Sequence, residues 1–486
     1  MSAEEIANKL WNLCNVLRDD GVTYHQYLNE LTYILFLKLS DVKGFSEHIP
    51  EEYRWKKFVD EHDNAEAFAK YREFLVTVSS KTTSDSIKEI YTDAATSLRK
   101  PVNFRTLVQA IDKLDWYEED DRDVMGDIYE SLLEKNAGEK KSGAGQYFTP
   151  RPLINIMVDL MVPKVGERWN DPAAGTFGFM ISADFYLKNK TNDYFKLTEK
   201  ERKFQEEEAF SGVELVGDAH SLALMNARLH GMESRIYRND TLTEFGKSLK
   251  NFDGVLANPL FGTKQGGERP TRDDFTFPTS NKQLNFLQHI YRSLKKDGKA
   301  RAAVVLPDNV LFEDGDGQKI RRDLMDKCNL HTILRLPTGI FYAAGVKTNV
   351  LFFTRGKTET GNTKNVWTYD MRTNAPSYGK RTPFEEKAFE DFVKAYTGGI
   401  TIDNVETDYD GLVSDEKRKT IKDERWNCIT IEEIATKNYS LDLGLIADNT
   451  LTNSEDLGEP IDIAKQALAE LQSITEQLNA IIKELN

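Results

Sequence analysis

A chain of 486 residues exceeds one ordinary hydrophobic core, so two or three domains are expected. Its composition, 40% hydrophobic and 29% charged, is that of a soluble globular protein. The formal charge of −15 argues against unaided nucleic-acid binding, since phosphate neutralisation needs a basic face; a local basic groove or a second subunit would have to supply it.

Residues 1–140 read as a helical N-terminal domain. Ile6, Leu10, Trp11, Leu13, Cys14 and Leu17 recur at helical spacing, as do Tyr24, Leu28, Leu31, Leu35 and Leu39. The opening MSAEEIANKLWNL is acidic and amphipathic, unlike a signal peptide, and the apolar patch 33–37 is too short to span a bilayer. Cys14, Cys328 and Cys428 lie too far apart for a disulfide framework or a cysteine zinc site. The histidines form no H-x-x-x-H or H-x-E pattern. A reducing cytoplasm, no membrane attachment and no metal are expected.

A helix over 124–133 (VMGDIYESLL) leads into the small-residue loop KSGAGQYFTPRP. From there to about 355 the pattern becomes α/β, within a domain expected at 141–400, with strands expected at 167–170, 209–214, 235–237, 252–257, 302–306, 332–336 and 349–353. Helical segments between them imply a doubly wound, mostly parallel sheet with ligands at the strand carboxyl ends. Beyond 355 the chain reads as acidic and irregular, with a helix expected near 384–396, and 401–458 reads as an irregular acidic linker. The tail 459–486 is periodic. Ala464, Ala467, Leu471, Ile474, Leu478, Ile481 and Leu485 alternate threes and fours, a coiled-coil seam of only about three heptads. It is either a helix folded on its own domain or a docking helix for another chain, and the narrow seam favours docking.

Four strand ends carry candidate chemistry. "NDPAAGTFGFM" places Asp171 at the end of the first strand and Gly178 at the start of a helix. It is not the G-x-G-x-x-G of dinucleotide-binding folds, and the carboxylate suits an amino group. Glu214 ends the second strand, where a carboxylate can accept both hydroxyls of a ribose. It lies 39 residues after Gly175, beyond the usual ~20, and the charged segment 190–208 reads as the insertion responsible. Asp240 follows the third strand, placed to accept from an adenine amino group. Each acid could instead cap a helix; three after successive strands point to a nucleoside-type pocket.

The fourth strand ends in "VLANPLFGTK". Asn-Pro favours chain reversal, but here the Asn258 amide oxygen and a backbone carbonyl also make two acceptors for an NH₂ group. Phe261 offers a face on which a planar ring can stack. Such a clamp leaves an exocyclic nitrogen nucleophilic, as attack on an activated methyl requires.

"KSGAGQYFTPRPLI", "DPAAGTFGF", "GVELV", "LALMNARLHG", "ANPLFG" and "GVKTNVLFFT" resemble the adenine-N6 DNA methyltransferase (modification) subunit of type I restriction–modification systems. The similarity spans nearly the whole chain and implies a class I methyltransferase (Rossmann-like) domain at 141–400. It implies S-adenosyl-L-methionine as cofactor, held by Gln146, Tyr147, Phe148, Thr149, Pro150 and Arg151, by Asp171, Gly175, Thr176, Phe177 and Gly178, and by Glu214. It implies catalysis by Asn258, Pro259 and Phe261 on a flipped adenine. It also implies two modification subunits with one DNA-specificity subunit, a restriction subunit that can join them, and double-stranded DNA reached through the complex. Leu260 departs from the family's usual Asn-Pro-Pro-Phe, replacing a locked φ angle while retaining both acceptors. Alternatives are a non-catalytic scaffold that binds the cofactor, or a methyltransferase for protein glutamine or a ribosomal-RNA guanine amine. A nucleotide-driven motor is disfavoured, because "GKS" and "GKT" lack the upstream glycine of a phosphate loop.

Overall fold

The computed structural model describes residues 3–13, 24–42, 46–114, 128–132, 135, 149–259, 270, 272–341, 347–373, 375–376, 378, 382–402 and 409–442. The expected tail helix, Gln146, Tyr147, Phe148, Leu260 and Phe261 lie outside the described residues.

The N-terminal region is helical, as its periodicity implies, with helices Ala3–Asn12, Tyr24–Val42, Asn64–Lys81 and Pro101–Asp112. Asp63 starts the third of these by accepting from the Ala65 and Glu66 backbone N–H groups. Aromatic rings fill its core, with Tyr71 stacked on Phe104 at 4.6 Å between centroids. The buried Glu30 carboxylate is satisfied by Tyr71, Thr96 and the Ser97 N–H. Among the described residues no helix is long and apolar enough to cross a membrane.

The α/β region is built on one nine-stranded sheet of order β3-β2-β1-β4-β5-β7-β6-β8-β9. The strands are β1 Trp169–Asp171, β2 Phe210–Glu214, β3 Arg235–Arg238, β4 Gly254–Ala257, β5 Arg301–Pro307, β6 Cys328–Arg335, β7 Thr348–Arg355, β8 Asn365–Asp370 and β9 Trp426–Thr430. β1 to β5 run parallel to one another. β7 inserts antiparallel between β5 and β6. The central strand β5 is buried along its whole length, which is why it reads as the apolar run RAAVVLP. After β1 the chain builds β2 and β3 outward on one side, then returns to place β4 on the other. The β1/β4 junction is therefore the switch point of the sheet, where a crevice opens at the carboxyl ends.

Two features depart from expectation. The stretch beyond 355 is not irregular: β8 extends the sheet parallel to β6, and β9 closes it antiparallel to β8. The linker expected at 401–458 thus contains the edge strand, with the Trp426 indole stacked on Trp367 at 5.0 Å. Arg418 pins the preceding segment, donating to the Tyr396 and His331 carbonyls and the Thr332 hydroxyl from a fully buried position. The helix expected near 384–396 is present as a 3₁₀ turn, Glu386–Phe389, followed by Glu390–Thr397.

Candidate active site

The carboxyl ends of β1, β2 and β4 come together because the three strands are parallel and in register, Trp169 pairing with Phe210 on one side and Gly254 on the other. They frame a crevice that opens to solvent, lined by Thr149, Ile154, Asp171, Ala173, Ala174, Gly175, Thr176, Gly178, Phe179, Glu214 and Asn258. Residues separated by more than a hundred positions thus meet in one crevice.

The loop after β1 is held from three directions. Asp171 Oδ1 accepts from the Ala173 N–H at 3.0 Å and turns the chain on itself. Glu214 Oε2 accepts from the Gly175 N–H at 2.9 Å, and Oε1 from the Val216 N–H at 2.8 Å. Gly175 has a φ of +53°, a conformation that disfavours side chains. Gly212 on β2 permits the loop to press close, since a Cβ there would lie 2.8 Å from the Phe177 ring. Two further anchors come from outside the expected set: Asn226 donates to the Thr176 carbonyl at 2.9 Å, and Thr241 to the Pro172 carbonyl at 2.6 Å.

Both strand-end acids are buried in this crevice. Burial pushes the Asp171 carboxyl up to about 8; the Ala173 N–H opposes the shift and the charge of Glu214 adds to it. Burial also raises Glu214, against the pull of the Val216, Gly175 and Leu215 N–H groups. Each carboxylate has about four acceptor sites, so Glu214 keeps capacity for a ligand beyond its two backbone bonds. Two buried acids with capacity in hand suit a ligand that carries hydroxyls and positive charge.

Asn258 directly follows β4. Its Nδ2 donates to the Thr149 hydroxyl at 3.0 Å. Its Oδ1 is buried and has no hydrogen-bond partner among the described residues. An orphaned buried acceptor is costly, about 1–3 kcal/mol, and points to a donor that arrives with a ligand. Pro259 beside it is buried.

The other expected residues fall differently. Arg151 begins the helix Arg151–Met161 and forms an ion pair with Glu130, away from the cavity lining. Pro150 caps that helix. Phe177 is fully buried beneath the loop with a φ of +67°, so it shapes the loop from below. Asp240 does not join the lining; its Oδ1 accepts from the Leu242 N–H at 2.8 Å and caps its own turn. Leu215, not singled out from sequence, is an exposed apolar side chain immediately after Glu214. The signal that could have found it is an apolar residue directly following a strand-end acid. Asn226 left a fainter trace, an amide inside an otherwise apolar helix face of "LALMNARLHG".

A helical N-terminal region and a mostly parallel α/β sheet with Asp171, Glu214 and Asn258 in its switch-point crevice define a Rossmann-like methyltransferase fold. The chain belongs to the N-6 DNA methylase family, whose model matches residues 120–455. The HsdM N-terminal domain model matches residues 6–114. Within the family the chain stands with the methylase subunits of type I restriction enzymes. It is 44% identical over 514 residues to the type I restriction enzyme EcoKI methylase subunit of Escherichia coli (strain K12), covering 100% of this chain and 96% of that protein. It is equally 44% identical over 516 residues to the StySPI methylase subunit of Salmonella potsdam, with the same coverage. The crystal structure of the EcoKI M protein matches 99% of this chain and 96% of its own at a TM-score of 0.56 and 39% identity. A structure titled for complex assembly and conformational transition of the type I R-M system matches 100% of both chains at a TM-score of 0.73 and 27% identity.

Proposed function

We propose that this chain transfers a methyl group from S-adenosyl-L-methionine to the N6 amine of adenine in DNA, as the modification subunit of a type I restriction–modification complex. The observation that carries the reading is the Asn258 Oδ1, without a partner among the described residues, in the same crevice as the buried Asp171 and Glu214. When bound, the cofactor supplies an electrophilic methyl group. Glu214 accepts ribose hydroxyls on the lone pairs that Gly175 and Val216 leave open. Asp171 faces the positively charged amino end, and Leu215 presents an apolar surface to the purine. Gln146, Tyr147 and Phe148 join this binding set.

Asn258 Oδ1 and the Pro259 carbonyl accept the two N–H groups of the target amine, with Phe261 stacked on the flipped base. That pairing draws the nitrogen lone pair out of conjugation and aims it at the methyl carbon. Transfer would form the N–C bond as the methyl–sulfur bond broke, its electron pair leaving on sulfur as a neutral thioether; the surplus proton would leave the nitrogen for water, so no side chain need act as a general base. The chain's net charge of −15 fits DNA recognition by a partner. We assign that role to one DNA-specificity subunit shared by two modification subunits, with a restriction subunit able to join.

The test is methyl transfer. The assembled complex, given DNA and labelled cofactor, should place label in N6-methyladenine. Label in guanine or in protein glutamine would move the substrate elsewhere, and cofactor binding without any transfer would leave a scaffold.

A further inference from the structure

We infer that the Thr149 hydroxyl is a positioning residue for the Asn258 amide, holding it in the orientation that presents its oxygen to the target amine. This rests on the amine-clamp reading above and adds a role distinct from contact with the cofactor.

A carboxamide has two ends of the same shape and opposite hydrogen-bonding character, and its terminal torsion is broad and roughly two-fold. Only one orientation serves an incoming NH₂, because the rotated amide would set donor against donor. In the serviceable orientation Nδ2 turns away from the amine and needs an acceptor of its own. Thr149 Oγ1 is that acceptor, 3.0 Å away across a sequence separation of 109 residues. The opposite end, Oδ1, is left buried and unpaired among the described residues. Thr149 and Asn258 both line the cavity, so the pair is assembled at the reacting edge.

The hydroxyl is itself well placed to be a fixed point. Thr149 precedes Pro150, whose ring restricts the preceding backbone to extended conformations. Pro150, with φ −56° and ψ 132°, caps the helix Arg151–Met161. A β-branched side chain adds a stiff χ1. A hydroxyl can also donate, so the arriving amine selects the orientation and Thr149 makes that choice free of an unpaired Nδ2. This joins the segment before the first helix of the α/β region to the end of β4, and gives the residue before Pro150 a part in the chemistry.

The experiment uses the full-length chain assembled with its specificity subunit. Thr149→Val keeps the shape and removes the acceptor; Thr149→Ser keeps the acceptor. At saturating cofactor, the single-turnover methyl-transfer rate of Thr149→Val should fall roughly 10- to 100-fold, the consequence of one unpaired buried donor. Thr149→Ser should recover most of that rate. Because Thr149 also stands in the cofactor set, the rate is read at saturating cofactor, where any change in cofactor affinity drops out. Flipping of 2-aminopurine at the target position, a base without the 6-amine, should be unaltered, which a general loosening of the site would not leave intact. An undiminished rate in Thr149→Val overturns the inference. So does Thr149→Ser as slow as Thr149→Val, or weakened cofactor binding with a normal saturated rate. If Asn258→Ala keeps its turnover, the clamp itself fails; if Asn258→Ala is dead and Thr149→Val is not, only the positioning role fails.

Discussion

Glu214→Gln separates ligand recognition from loop stability. In the native chain the two carboxylate oxygens accept from Gly175 and Val216 at 2.9 and 2.8 Å and retain lone pairs for a ribose. A glutamine keeps the volume, but its NH₂ must face one of two backbone donors, and one acceptor pair is lost to the ligand. A hydrogen bond to a charged group contributes about 1.5–3 kcal/mol, so cofactor affinity should fall roughly 10- to 150-fold. Glu214→Ala is the harsher change, because it leaves the buried Gly175 and Val216 N–H groups without acceptors and loosens the loop even in the free protein. The assay is isothermal titration of S-adenosyl-L-methionine, with thermal unfolding of the ligand-free variants alongside. Glu214→Gln should bind weakly while unfolding within a few degrees of the parent. Unchanged affinity in Glu214→Gln would remove this carboxylate from the cofactor site and refute the pocket assignment.

Burial raises Asp171 to about 8, so at pH 7 the free protein holds it largely protonated. A cationic ligand favours the carboxylate, so binding should release a proton: affinity should rise with pH up to about 8 and level off above it. Calorimetry at pH 7 in buffers of different ionisation heat should show that release, and buffer-independent heats would contradict it. The same shift has the opposite sign for folding. The folded state binds this proton more tightly than the unfolded chain, so the ligand-free protein should lose stability as pH climbs from about 4 to about 8, measured by denaturant midpoints. Replacing Leu471 and Leu478 together with Asp should place charge in the apolar seam of the tail and abolish co-purification of the specificity subunit while leaving cofactor affinity intact. Retention of the partner would move docking elsewhere on the chain.

Much of the sheet and the crevice was legible because the signals are local. A buried parallel strand is a short, largely apolar run, and Glu214 and Asn258 each mark its end by an abrupt change to a polar residue. The edges were less legible. β8 read as irregular because Asn365, Thr368 and Asp370 interrupt its apolar residues; β9 did because Trp426–Thr430 is a half-covered margin that pairs across more than fifty residues of chain. Asp240 shows that an acid after a strand also serves its own turn: its Oδ1 accepts from the Leu242 N–H, and the carboxylate keeps further acceptor capacity. The Thr149–Asn258 bond, the Asn226 anchor under Thr176 and the Arg418 pin depend on long-range placement that no spacing encodes.

The central claim is that Asn258 holds the target amine while other residues hold the cofactor. The direct measurement is Asn258→Ala in the assembled complex, read both as methyl transfer to adenine in DNA and as S-adenosyl-L-methionine affinity. Transfer should fall by at least about a hundredfold, the order seen when one preorganised hydrogen-bonding group is removed from a reacting centre, while cofactor affinity stays within a few-fold of the parent. Transfer at the parent rate, or loss of cofactor binding in step with loss of transfer, would contradict it.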